Sequence, residues 1–176
     1  MDGLASNILD MIKEEQIKLG YRKEKIRLYY PISSLNTLLG IHADCAQMEI
    51  ELKSYFAQRQ ETFGEVEVSY RQERFCLTLP EQVSEYVYMH TEKEGFLYEF
   101  INVIANHDAV IEEVLQVFKK YSDNVYFEKI YGEEYDYLLY FIDDQPDPYR
   151  YCLTEEGHHL IYHRYTKEDF KELFSV

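Results

Sequence analysis

The sequence predicts an α+β fold in which about five to six helices pack with an antiparallel sheet. Apolar residues recur at spacings of three and four through most of the first 121 positions, and from Asn124 the spacing drops to two. Those periods belong to a helix with one buried stripe and to a strand with one buried face. An apolar content of 46% in 176 residues supplies enough material for one full core. A single domain over residues 1–176 is therefore expected, with residues 1–64 as a possible helical lobe.

Leu4, Ile8, Met11 and Ile12 place a helix over Leu4–Leu19, stopped by Gly20. Ile26, Leu28 and Tyr30 alternate with Arg27 and Tyr29 in a short strand that Pro31 ends. Ser33 or Ser34 can cap a short helix closed by Gly40, and Cys45, Met48, Leu52, Tyr55 and Phe56 form the stripe of a longer one from about Asp44 to Gln60. Residues 65–79 read as a hairpin, with Val66, Val68 and Tyr70 on one arm and Phe75, Leu77 and Leu79 on the other. The reversal Arg71-Gln72-Glu73-Arg74 lacks the Gly or Asn that tight hairpin turns favour.

Pro80 suits the first turn of a helix carrying Val83, Tyr86, Val87 and His90. Phe96–Ala105 should bury Leu97, Phe100, Ile101 and Ile104. A helix over roughly 107–121 should bury Val110, Ile111, Val114, Leu115 and Phe118.

A four-strand meander over 124–165 follows. Val125–Tyr131 and Tyr137–Ile142 flank Gly132-Glu133-Glu134, and Tyr149–Thr154 and His158–Tyr165 flank Glu155-Glu156-Gly157. Thr166, with Asp169 three residues on, predicts a capped final helix whose Phe170, Leu173 and Phe174 dock on the sheet.

Charge is distributed unevenly. Residues 1–80 hold 10 Lys/Arg against 12 Asp/Glu, while residues 81–176 hold 8 against 21, within a total of −15. Such a surplus repels phosphate backbones and attracts cationic surfaces, so a basic protein partner is expected and nucleic acid is not. Lys18, Arg22, Lys23, Lys25 and Arg27 run against the trend, as a solvated face or as an intramolecular partner for the acidic half. Without a membrane-length apolar run or a secretion signal, the chain is expected to be soluble and cytoplasmic. Three dispersed cysteines, Cys45, Cys76 and Cys152, suit a reducing interior. The 18 tyrosines and 10 phenylalanines, with no tryptophan, are explained first by sheet packing and second by a recognition surface.

The run IKEEQIKLGYRKEKIRLYYPISSLNTLLG, Ile12 to Gly40, resembles the N-terminal signature of an uncharacterised bacterial family, a domain of unknown function associated with gut bacteria. The resemblance implies a bacterial origin and a whole protein, and it carries no activity or site residues across.

The densest chemical cluster is His158, His159 and His163 with Cys152, Arg150 and Tyr165. A turn at Glu155-Glu156 sets Cys152 opposite His159, and one at Glu156-Gly157 sets Cys152 opposite Ile161 and Arg150 opposite His163. Either register puts Cys152, His159 and His163 on one sheet face. These three are the candidate catalytic residues, the histidines as base or ligands and the cysteine as nucleophile or third ligand. Against that stands the spacing, since four residues along a strand span roughly 13 Å. Asp108 and Glu112, after His107, lie where acids favour a helix N-terminus. Phosphate-loop, dinucleotide, nucleophile-elbow and zinc-protease motifs are all missing, and no cofactor or metal is expected. The sequence thus favours a non-enzymatic, acidic protein-binding or regulatory domain, with a hydrolase or metal-dependent enzyme on the C-terminal sheet as the alternative.

Overall fold

A computed structural model of the chain describes residues 3–130 and 134–174. The chain divides into two compact units, Met1–Thr91 and Glu92–Val176. The boundary lies after the 65–79 hairpin, so that hairpin belongs with the N-terminal helices, where the sequence suggested a lobe ending near 64. The described residues form eight helices and seven strands in two antiparallel sheets.

The N-terminal unit runs α1 (Gly3–Leu19), β1 (Ile26–Pro31), α2 (Ile32–Leu39), α3 (Cys45–Ala57), α4 (Gln60–Phe63), β2 (Glu67–Arg71), β3 (Arg74–Leu79) and α5 (Glu81–His90). Strand β3 is central, flanked by β1 and β2. Leu28 and Val68 both lie opposite Leu77, and Tyr30 and Tyr70 both lie opposite Phe75. This face joins Leu4, Ile8, Ile12, Leu35, Met48, Leu52, Phe56, Val83 and Val87 in one core. Burying a side chain of this size stabilises the fold by about 1.5–3 kcal/mol.

Two local expectations change. Helix α2 begins directly after Pro31 with no side-chain cap, so Ser33 and Ser34 lie inside it, while Gly40 at φ 68° closes it as predicted. The helix after Asp44, whose Oδ1 accepts from the Gln47 N–H at 2.9 Å, ends at Ala57 and resumes as α4. A polar tie absent from the sequence reading links α1 to α5: Gln16 Nε2 donates to the Ser84 carbonyl at 2.8 Å, with both residues buried.

The C-terminal unit runs α6 (Phe96–Ile104), α7 (Ile111–Tyr121), β4 (Val125–Lys129), β5 (Tyr137–Phe141), β6 (Arg150–Glu156), β7 (His159–Tyr165) and α8 (Lys167–Phe174). The strands form the expected meander in the order β4-β5-β6-β7. Of the first hairpin's expected turn, Gly132 and Glu133 lie outside the described residues. Aromatic rings build the core against α6 and α7. Phe96 meets Phe118 and Phe141 edge-on at 4.8 Å, Phe100 meets Tyr151 at 4.7 Å and Tyr162 at 4.8 Å, and Phe118 stacks on Phe141 at 5.0 Å. Such geometries use the ring quadrupole and add about 0.5–1.5 kcal/mol per pair beyond area burial.

Helix α7 starts later than the stripe suggested. Val110 is its exposed N-cap, Leu115 is only half-buried, and Val117 takes the place in the core that the stripe assigned to Leu115. The Val110 N–H donates to Glu113 Oε2 at 3.2 Å, one half of a capping box, since valine has no side-chain acceptor for the other half. Asp108, expected near this cap, contacts His107 instead. The cap of α8 forms as expected: the Thr166 hydroxyl accepts from the Asp169 N–H at 3.1 Å and donates to its carboxylate at 2.8 Å. Phe170 and Phe174 then pack over Tyr135, Leu138 and Cys152, whereas Leu173 points to solvent.

Candidate functional site

The geometry of the C-terminal sheet decides what the histidine and cysteine cluster can do. Strands β6 and β7 turn at Gly157-His158, with Glu156 opposite His159 and Cys152 opposite His163. Both registers considered from the sequence are therefore wrong, while the shared face is right. The turn falls one step later because Gly157, at φ 63°, supplies the left-handed residue that a two-residue hairpin needs. Glu155 and Glu156 remain strand residues.

This register separates the three candidates. Cys152 is fully buried beneath Tyr135 and Leu138, and burial, helped by the negative charge of Glu134, pushes its thiol up to about 12. A thiol that keeps its proton at neutral pH is a poor nucleophile and a poor ligand. His163 lies opposite it on the strand but is solvent-exposed, its ring edge-on to Tyr135 at 5.6 Å and stacked with Tyr165 at 6.2 Å. His159, four residues on, sits at the hairpin end with its ring 4.3 Å from that of His107. His158 joins it there, its Nδ1 3.9 Å from Asp108 Oδ1, with both side chains more than 80% exposed. The structure thus brings together His107, His158, His159 and Asp108 on the surface and leaves Cys152 and His163 elsewhere. Among the described residues no group of His, Cys, Asp and Glu is arranged to hold a metal ion.

The best-built polar site was not foreseen. The connection between β5 and β6, expected only as a turn-rich link, is held by two arginines. Arg164 Nη2 meets Asp147 Oδ2 at 2.8 Å with both side chains under 10% exposed, and Arg164 Nε donates to the Tyr151 hydroxyl at 3.0 Å. Its guanidinium also lies 3.8 Å from the centre of the Tyr149 ring. Arg150, equally buried, donates to Asp144 at 2.9 Å and to the Pro148 carbonyl at 3.0 Å and lies over Tyr140 at 4.2 Å. Hydrogen bonding from Arg150, reinforced by Lys167 at 3.2 Å and opposed by partial burial, holds the Asp144 carboxyl below its ordinary range. Tyr151 and Arg164 are register partners, as are Arg150 and Tyr165, so the arginines leave opposite faces of the sheet and grip the same connection. Their work is structural: they fix a loop that contains the cis Gln145–Pro146 bond. The sequence signal was two arginines on strands beside an Asp-rich loop, but pairing them required the register.

Around Tyr137 the structure gathers acids. Its hydroxyl donates to Glu155 at 2.8 Å. Burial, that hydrogen bond and the negative charges of Glu155, Asp136 and Glu112 push the phenol up to about 12. Glu112 opens α7, Glu155 lies near the end of β6 and Asp136 just precedes β5, so one end of this unit carries carboxylates from three parts of the chain. Three cations of the basic segment pair within their own unit: Lys18 with Glu14 at 2.8 Å, Lys23 with Glu15 at 2.8 Å and Arg22 with Glu85 at 3.4 Å.

Comparison with known families gives a match along nearly the whole chain. The model of a family described as a domain of unknown function, taken from an E. rectale gene description (DUF3877), covers residues 1–174. The chain belongs to this family. Its bacterial, gut-associated character agrees with the resemblance carried by Ile12 to Gly40. The DUF3877 match spans both units and brings no activity with it. No curated protein and no solved structure matches the chain. No helix among the described residues of this DUF3877 member is long and apolar enough to cross a membrane.

Proposed function

We propose that the protein is a non-enzymatic binding domain whose acidic C-terminal unit docks a basic protein surface. The observation that supports this reading is how charge is spent in Glu92–Val176. This unit holds 19 Asp/Glu and 8 Lys/Arg. Its two arginines are buried against Asp144 and Asp147, while Lys120 is tied to Glu99 at 2.6 Å and Lys167 to Asp144. Half of its cations therefore serve internal pairs, and exposed Glu112, Glu155 and Glu156 have no ion pair among the described residues. A surface of one sign steers and orients an oppositely charged partner. The hydrolase or metal-enzyme alternative gains nothing from the geometry, because its thiol is buried and protonated and its histidines are divided.

The test is capture from native bacterial lysate by the full chain at stepped NaCl, beside a variant with Glu112→Gln, Glu155→Gln and Glu156→Gln. The expected result is a partner of high isoelectric point that is held at low salt, released by roughly 0.5 M NaCl where screening lengths shrink below about 5 Å, and lost by the variant. A partner held equally by the variant, or held at every salt concentration, overturns the proposal.

A further inference from the structure

The N-terminal sheet keeps one face outside its core, and the residues on it differ from the rest of this acidic chain. Register places Pro31, Arg74 and Arg71 in one row across β1, β3 and β2, Tyr29, Cys76 and Ser69 in the next, and Arg27, Thr78 and Glu67 in the third. Tyr29, Ser69, Arg27, Arg71 and Arg74 are exposed. Arg71 and Arg74 face each other directly across the pair of strands, an arrangement in which like charges destabilise a sheet. Neither they nor Arg27 has an ion pair among the described residues, although the chain carries 33 acids that could have supplied one.

Beside these arginines lies an open hollow of about 430 Å³ lined by Tyr29, Ser69, Arg71, Arg74 and Cys76. That volume is within the range of small-ligand sites. Two guanidinium groups side by side match a phosphoryl group, whose oxygens each fork can take in pairs. The Tyr29 ring, 57% exposed, one row away and lining the same hollow, offers a stacking surface for a ring attached to such a phosphate. We propose that this face binds a small organic phosphate that carries an aromatic ring, of the nucleoside phosphate class, with the phosphate on Arg71 and Arg74 and the ring on Tyr29. A tolerated cross-strand repulsion is then explained by the anion that relieves it.

The proposal is tested by titrating the full chain with ADP, inorganic phosphate, adenosine and a twelve-nucleotide single-stranded DNA, read by calorimetry and by NMR of the Tyr29 ring. ADP should bind saturably at one site, and adenosine about tenfold more weakly or worse. Arg71→Gln with Arg74→Gln should weaken ADP at least about tenfold while leaving the melting temperature of the free protein unchanged or higher, since a repulsion is removed. Tyr29→Leu should weaken ADP and leave the weaker inorganic phosphate binding alone, a split that general damage to the sheet does not produce. Absence of saturable ADP binding at millimolar concentration overturns the proposal, as does ADP binding that survives the double arginine variant. DNA bound far more tightly than ADP, with a steep salt dependence, also overturns it in favour of a single-stranded nucleic acid. Each of these residues is in the N-terminal unit, so failure here leaves the acidic-module reading untouched.

Discussion

The two units solve the same problem, covering one face of an antiparallel sheet with helices, and treat charge in opposite ways. In Met1–Thr91 the core is largely aliphatic, and most of the cations are on the surface, some paired with nearby acids and three on the sheet without an ion pair among the described residues. In Glu92–Val176 the core is a set of interlocked rings, and both arginines are drawn inside to hold a loop. Net charge follows this division, at −4 for the first unit and −11 for the second. Each buried arginine is matched by an aspartate, so these pairs withdraw one charge of each sign and the acidic surplus set by composition remains with the other side chains of the unit.

The largest expected effect tests the buried pairs. Replacing Asp147 with Ala removes a carboxylate from the Arg164 guanidinium, whose side chain is 3% exposed, which should cost about 3–5 kcal/mol. Adding Arg164→Met should recover much of that loss. Urea denaturation of both variants measures it, and a double variant no better than the single would show that the pair's geometry matters more than its desolvation. The loss should be confined at first to the C-terminal unit, so amide exchange should quicken in β6 and β7 before it does in β3.

Leu115→Ala is expected to cost about 1 kcal/mol, well below the 2–5 kcal/mol of a fully buried leucine such as Leu52, because part of its surface already meets water. Equal losses at the two positions, by the same denaturation assay, would restore Leu115 to the core stripe.

Acid should separate the units as well. The folded-state pKa of Asp144 is lowered, so its contribution to stability is complete above the ordinary aspartate value of about 3.9 and is lost as pH falls through that value toward the folded one. Asp144→Asn should flatten the dependence of the urea midpoint on pH below about 4, with little change in slope near neutrality.

The smallest effects belong to the surface. Melting temperature should rise modestly as NaCl increases from low to roughly physiological concentration, as screening relieves repulsion among the exposed acids of the C-terminal unit. Arg22→Gln, which loses an exposed pair to Glu85 at 3.4 Å, should change stability by less than about 0.5 kcal/mol. A melting temperature that is flat or falls with salt would mean that these acids are already compensated within the fold.

Periodicity made the elements legible, because alternating apolar residues such as Val66, Val68 and Tyr70 admit only one face and Phe96 to Ile104 admits only one stripe. It could not reveal that β1 completes the hairpin sheet, since Leu28 and Leu77 meet across nearly fifty residues. Nor could it fix the phase at an element's end. The apolar pattern runs through Val110 into α7 without marking where the helix begins, and Glu155-Glu156 looks like a turn until Gly157 is given its conformational role. The candidate site depended on that last choice. Parity alone set Cys152, His159 and His163 on one face, but only the register and burial showed the thiol to be covered and the histidines apart.

The buried thiol has a use outside chemistry. Cys45 and Cys76 are half-buried in the N-terminal unit, whereas Cys152 is the C-terminal unit's single cysteine and is completely covered. A thiol-specific label can reach it only when β6 parts from the aromatic residues and α8 that cover it, so its rate of modification counts those openings. The chain thus carries an internal clock for one half of the molecule, which would run slower whenever a bound partner holds that half closed.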